Sequence, residues 1–130
     1  MNYYFNTVLS KVSFDEAIEK VTAELKKEGF GVLTEIDIQK TFKAKLDIDF
    51  KKYRILGACN PQFAHKAIEV EDKIGAFLPC NIIVQQDVEN AVEVSAVNPI
   101  AMMSRVDNKE LTGLAIEIEA KLKRVIKNLG

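Results

Sequence analysis

The sequence has little of the chemistry from which catalytic and metal sites are usually built. Among its 130 residues there are one histidine, two cysteines and no tryptophan. Two cysteines do not make a disulfide-rich framework, and a chain of this length needs no such crosslink to hold a core. The sequence contains no glycine-rich phosphate loop, no serine nucleophile elbow and no second histidine. It therefore lacks the parts of nucleotide hydrolysis and of Ser-His-Asp catalysis, and whether it catalyses any reaction stays open.

An excess of one charge is missing as well, because the 18 basic and 19 acidic side chains nearly cancel. A dedicated nucleic-acid binder normally carries a basic excess that neutralises phosphates, so we expect no nucleic-acid partner. One local basic cluster has aspartates interleaved, which indicates a solvated surface. Its members are Lys40, Lys43, Lys45, Lys51, Lys52 and Arg54.

Long apolar runs are absent too. No stretch approaches the ~18 residues that a membrane span requires, and the first residues lack the basic and apolar regions of a signal peptide. We therefore expect a cytoplasmic protein without a membrane partner, in which both cysteines are reduced thiols. Apolar residues make up 48% of the chain, which is enough for one core and predicts a single domain over residues 1–130.

Alternating and β-branched segments predict about five strands, at residues 3–9, 30–36, 53–59, 80–87 and 92–97. Two helix starts are marked by caps: Ser13 and Glu16 form a capping box, and Asn60 precedes Pro61 at a first helical position. Further helices are predicted at residues 38–46, 99–104 and after residue 108, with a loop at 73–79. This order predicts an α+β fold, with helices packed on one face of a mostly antiparallel sheet.

The final predicted helix carries a wider apolar stripe than one sheet requires. Besides its main row, Ile116, Ala120 and Ile126 form a second apolar row. This pattern indicates either a deeply seated helix or a surface that a second copy of the chain covers.

The unusual chemistry is concentrated in two near mirror-image tripeptides, Cys59-Asn60-Pro61 and Pro79-Cys80-Asn81, on either side of His65. Cys59 ends a predicted strand just before a helix, where helical amides favour a thiolate. The alternative for both cysteines is a small apolar side chain in the core. If the two strands are antiparallel neighbours, the two thiols lie at the same end of the sheet. In a parallel arrangement they would lie roughly 20 Å apart.

The segments Tyr53–Pro61, Ala64–Ala67 and Leu78–Asn81 together resemble the core signature of the domain of unknown function 302 family. The resemblance spans essentially the whole chain and implies a TATA-box-binding-protein-like α+β fold and a homodimer. The family's biochemical role is unassigned. The matching positions are Cys59, Asn60, Pro61, His65, Pro79, Cys80 and Asn81.

Our leading interpretation is a non-enzymatic dimer that binds a small ligand or a soft metal. The predicted ligand-binding residues are Cys59, Asn60, His65, Cys80 and Asn81. Two thiolates and an imidazole oriented by Glu69 would suit zinc, or copper(I) with help from Met102 or Met103. No Cys-x-x-Cys or His-x-His spacing supports a metal, and the identity of any cofactor stays open. The alternative for His65 is an ordinary polar side chain on a solvent-exposed helix face, with no ligand.

Two other functions remain open. In a thiol redox or sulfur-handling protein, Cys59 would be the nucleophile and Cys80 would resolve the product. In a structural protein-interaction module, the broad apolar stripe of the final helix would contact a partner.

Overall fold

The computed structural model describes residues 2–130, and within them it contains five strands, five α-helices and one 3₁₀ helix. The strands are β1 (Tyr4–Ser10), β2 (Gly31–Asp37), β3 (Lys52–Cys59), β4 (Cys80–Val88) and β5 (Ala91–Val97). The helices are α1 (Phe14–Lys27), α2 (Ile38–Leu46), α3 (Pro61–Val70), the 3₁₀ helix (Asp72–Phe77), α4 (Pro99–Met103) and α5 (Lys109–Leu129). Residues 73–77 were predicted as loop and instead lie in the 3₁₀ helix. Such a helix needs only local bonds and leaves no apolar period in the sequence.

The strands form one antiparallel sheet in the order β1-β5-β4-β3-β2, with β4 at its centre. Each of the four strand pairs is antiparallel, and the consecutive strands β4 and β5 form a hairpin. The α+β fold predicted from the sequence is confirmed. The same order places the first strand, β1, next to the last strand, β5.

Local chemistry sets the helix starts. The Ser13 side chain accepts a hydrogen bond from the Glu16 backbone N–H at 3.0 Å, and the Glu16 side chain completes the capping box. The Asn60 carboxamide oxygen accepts from the Phe63 backbone N–H at 3.2 Å, which begins α3. Both caps satisfy amides that have no partner inside their own helix, and both confirm the predicted starts.

The helices cover one face of the sheet. Alternate residues of the central strands are fully buried there, including Ile82, Val84 and Val94, and they pack against the apolar sides of α1 and α5. Within α5, Leu122 and Ile126 belong to this core, whereas Ile116 is 54% exposed and Ala120 is exposed. Of the second apolar row, therefore, only Ile126 is buried in the core. None of the helices within residues 2–130 is both long and apolar enough to cross a membrane.

The other side of the sheet, here called the open face, is formed by the residues that alternate with the buried ones. Tyr4, Val8 and Ile36 lie on it, and each keeps more than a third of its surface exposed. Polar and apolar side chains are mixed across this face. The open face is thus the side of the sheet that points away from α1 and α5.

Candidate functional site

The two cysteines lie at the same end of the sheet but on opposite faces. Strands β3 and β4 are antiparallel neighbours, as the shared-pocket prediction requires, and Ala58 is directly opposite Cys80. Residues directly opposite each other point to the same face, and successive residues point to opposite faces. Cys80 therefore shares the helix-covered face with Ala58, and Cys59 points to the open face.

Burial separates the two thiols further. Cys59 is half-buried, whereas Cys80 is 4% exposed and belongs to the core cluster. Burial raises the pKa of the Cys80 thiol to about 11, with a smaller contribution from the nearby Cys59. At neutral pH Cys80 is therefore a protonated thiol among hydrocarbon side chains, which is the environment of a packing residue.

His65 lies on the exposed side of α3. Its side chain is 76% exposed, and its Nδ1 is 3.5 Å from a carboxylate oxygen of Glu69, one helical turn further on. Within residues 2–130, no three histidine, cysteine, aspartate or glutamate side chains are grouped closely enough to hold a metal ion. The His65–Glu69 pair expected from the sequence is present, but the structure does not join it to the two thiols.

The two asparagines of the tripeptides have different surroundings. The Asn60 carboxamide caps α3, and its nitrogen also donates to the backbone carbonyl of Glu28 at 3.4 Å, so it connects the end of α1 to the start of α3. Asn81 is exposed on the open face, opposite Gly57 of β3. Of the predicted ligand-binding residues, only Asn81 lines the groove described next.

All three tyrosines of the chain line one groove on the open face, with a volume of about 380 Å³. Tyr3 and Tyr4 lie at one end, with ring centroids 4.9 Å apart in an edge-to-face arrangement. Tyr53 lies toward the other end, where its ring centroid is 6.3 Å from that of Phe50. This volume falls in the range of about 300–1,000 Å³ that is typical of small-molecule sites.

The floor of the groove is formed by open-face residues of β4 and β5, which are two of the three inner strands. These are Asn81, Ile83, Gln85, Glu93, Ser95 and Val97. From the adjacent β1, the Asn6 carboxamide nitrogen donates to Glu93 at 2.6 Å and to Ser95 at 3.1 Å. The floor therefore offers the carboxamides of Asn81 and Gln85, each of which can both donate and accept hydrogen bonds. It also offers the Glu93 carboxylate, which Asn6 holds in one orientation.

Sequence reasoning did not find this groove. The sequence does contain a pattern that could indicate it. Polar Asn81, Gln85 and Glu93 alternate with buried apolar residues in β4 and β5. The alternation alone also fits an ordinary solvated face. Only the strand order places Tyr3 and Tyr4 across the sheet from Tyr53, and sequence spacing does not reveal that proximity.

The chain is similar to a solved structure and to one protein family. It resembles a crystal structure of an uncharacterized conserved DUF302 protein from Bacillus stearothermophilus, with a TM-score of 0.91 and 27% identity over 100% of both chains. No curated protein matches the chain. The sequence model of the family described as Domain of unknown function DUF302 matches residues 5–129. Since that match covers nearly every residue, the chain belongs to the DUF302 family.

Proposed function

We propose that this protein binds a small aromatic molecule in the tyrosine-lined groove of its open face, without a catalytic cycle of its own. The observation that supports this most is the convergence of Tyr3, Tyr4 and Tyr53 on one concave surface with a polar floor. Tyrosine rings stack on planar ligands, and a few fixed polar groups orient what is bound. This proposal keeps the small-ligand function predicted from the sequence and moves its centre from the cysteines to Asn81 and its neighbours.

The soft-metal and thiol alternatives have less support. A metal would need ligands that the described residues do not group together. A resolving Cys80 would have to attack as a thiolate, yet burial keeps it protonated and away from solvent.

Benzamide is a suitable first probe because it is planar, uncharged and able to exchange amide hydrogen bonds with Asn81 and Gln85. Titration followed by NMR shifts of the ¹⁵N-labelled protein is expected to saturate. Tyr3→Ala is expected to weaken binding by roughly twofold to tenfold, since one stacking ring is lost. Tyr3 is 70% exposed, so its truncation leaves the core intact.

The matched control is Phe77→Ala. Phe77 is another partly exposed aromatic residue, 40% exposed, and it lies in the 3₁₀ helix outside the groove. Its truncation is expected to leave benzamide affinity unchanged. If Tyr3→Ala and Phe77→Ala bind benzamide as the unmodified protein does, or if no probe binds at all, the groove is not the site.

We further propose that the protein is a homodimer, as the family resemblance implies. The exposed Ile116 and Ala120 on α5 offer an apolar contact for a second copy. Sedimentation equilibrium is expected to give about twice the 14.6 kDa chain mass, and Ile116→Glu is expected to return it to the chain mass with the same circular dichroism. A monomeric unmodified protein would contradict the dimer, and a dimeric Ile116→Glu variant would contradict this surface. A charged substitution at Leu122, in the main apolar row of α5, would not test this surface, because Leu122 is fully buried in the core.

A further inference from the structure

A second cavity of about 290 Å³ adjoins the open-face groove near the β4–β5 hairpin. The two cavities share Gln85 and Glu93, and the second one adds Asp87. Among the residues that line either cavity there are two carboxylates and no lysine, arginine or histidine. The groove therefore presents negative charge to a ligand and offers no cation to pair with an anionic one.

Glu93 is positioned for a ligand rather than for an ion pair within the chain. Asn6 holds one of its carboxylate oxygens at 2.6 Å, and no basic nitrogen of residues 2–130 lies within 4.0 Å of this carboxylate. Because Asn6 is a neutral donor and contacts only one oxygen, the second carboxylate oxygen stays available to a ligand. A cation that donates hydrogen bonds is its natural partner.

The strand register places the Glu93 carboxylate across the groove from the Tyr53 ring. Tyr53 is paired with Gln85, and Gln85 is paired with Glu93, so the three residues form one row across β3, β4 and β5. Neighbouring strands are about 4.8 Å apart, which puts the ring side and the carboxylate side roughly 10 Å apart. That distance suits one aromatic ring that carries a cationic group, lying over Gln85.

Aromatic faces also attract cations. Lys51 places its Nζ 6.0 Å from the centroid of the Tyr53 ring, at the outer limit of a cation–π contact. Lys51 does not line the groove. The positive charge of a ligand therefore belongs at the Glu93 side of the row, away from Lys51.

From these observations we infer that the ligand of the open-face groove is a planar organic cation, an aromatic amidine or amine, whose charged group is bound by Glu93. This inference rests on the proposed small-molecule function of the same groove. It specifies that this ligand is positively charged and that Glu93 is the residue that selects it.

Three probes with the same ring and nearly the same size separate charge from shape: benzamidinium, benzamide and benzoate. Each is titrated into the full chain at neutral pH and followed by NMR shifts. Benzamidinium is expected to bind about tenfold more tightly than benzamide, as for a hydrogen bond to a charged group, and benzoate is expected to bind most weakly. Glu93→Gln is expected to remove the difference between benzamidinium and benzamide.

Glu89→Gln is the control, because it makes the same change of charge at an exposed position of the hairpin turn outside both cavities. It is expected to keep the preference for benzamidinium. Equal affinities for all three probes would overturn the cation inference and leave the groove as a neutral ligand site. A preference for benzamidinium that survives Glu93→Gln would overturn the assignment of the charged group to Glu93. Absence of binding by every probe would instead remove the proposed function itself.

Discussion

Native protein treated with iodoacetamide near neutral pH is expected to alkylate at Cys59 and to leave Cys80 free. Burial raises the pKa of Cys80 from an ordinary 9.0 to about 11, which lowers its thiolate fraction about a hundredfold, and only the thiolate reacts. The core packing around Cys80 slows access further. Mass spectrometry of the two cysteine peptides over time measures both rates, and we expect them to differ by about a hundredfold or more.

A Cys59→Ser variant supplies the control. It is expected to take up no label when native and one equivalent in denaturant. The same pKa predicts that Cys80 leaves the free energy of unfolding unaffected below pH 9 and lowers it as the pH rises toward 11, because the folded state holds the thiol proton more tightly than the unfolded chain. Equal labelling of both cysteines in the native protein would restore the thiol-exchange interpretation.

Gly57→Ala is expected to lower the free energy of unfolding by about 1–3 kcal/mol. A Cβ at this position of β3 would overlap the Thr34 hydroxyl oxygen and lie 2.7 Å from Cγ of Pro79. Both neighbours are short side chains on ordered segments, so the added carbon forces a shift in the sheet edge rather than a simple rotation. Urea denaturation measures the loss.

Gly31→Ala in the adjacent strand β2 is the matched control. Nothing lies within 4 Å of a Cβ built there, and its backbone is extended. Alanine at that position is expected to be neutral, or to stabilise by roughly 0.5–1 kcal/mol through a less flexible unfolded chain. Similar losses for both variants would show that Gly57 is not held in close contact.

The fold was predictable because its determinants are local. Ser13 and Asn60 each predict the start of a helix, because their side chains can satisfy first-turn amides, and the structure places both at caps. Alternation located the strands to within one or two residues. The prediction of a loop at 73–79 failed because the 3₁₀ helix needs no sequence period.

The site was less predictable because it depends on which strands are neighbours. Antiparallel pairing of β3 and β4 was expected and does bring Cys59 near Cys80. The parity of the register, which places Ala58 rather than Cys59 opposite Cys80, then assigns the thiols to different faces. No local pattern fixes that parity. The groove likewise arises only because the first and last strands pair.

The ligand is proposed to bind in the open-face groove lined by the three tyrosines, and not at Cys59 and His65. The most direct test is a map of the amide shifts that benzamidinium produces in the ¹⁵N-labelled protein, including the side-chain amides of Asn81 and Gln85. We predict that the largest shifts fall on these two side chains and on the backbone of Tyr53 and Glu93. Shifts confined to the start of α3, around Cys59 and His65, would contradict the account.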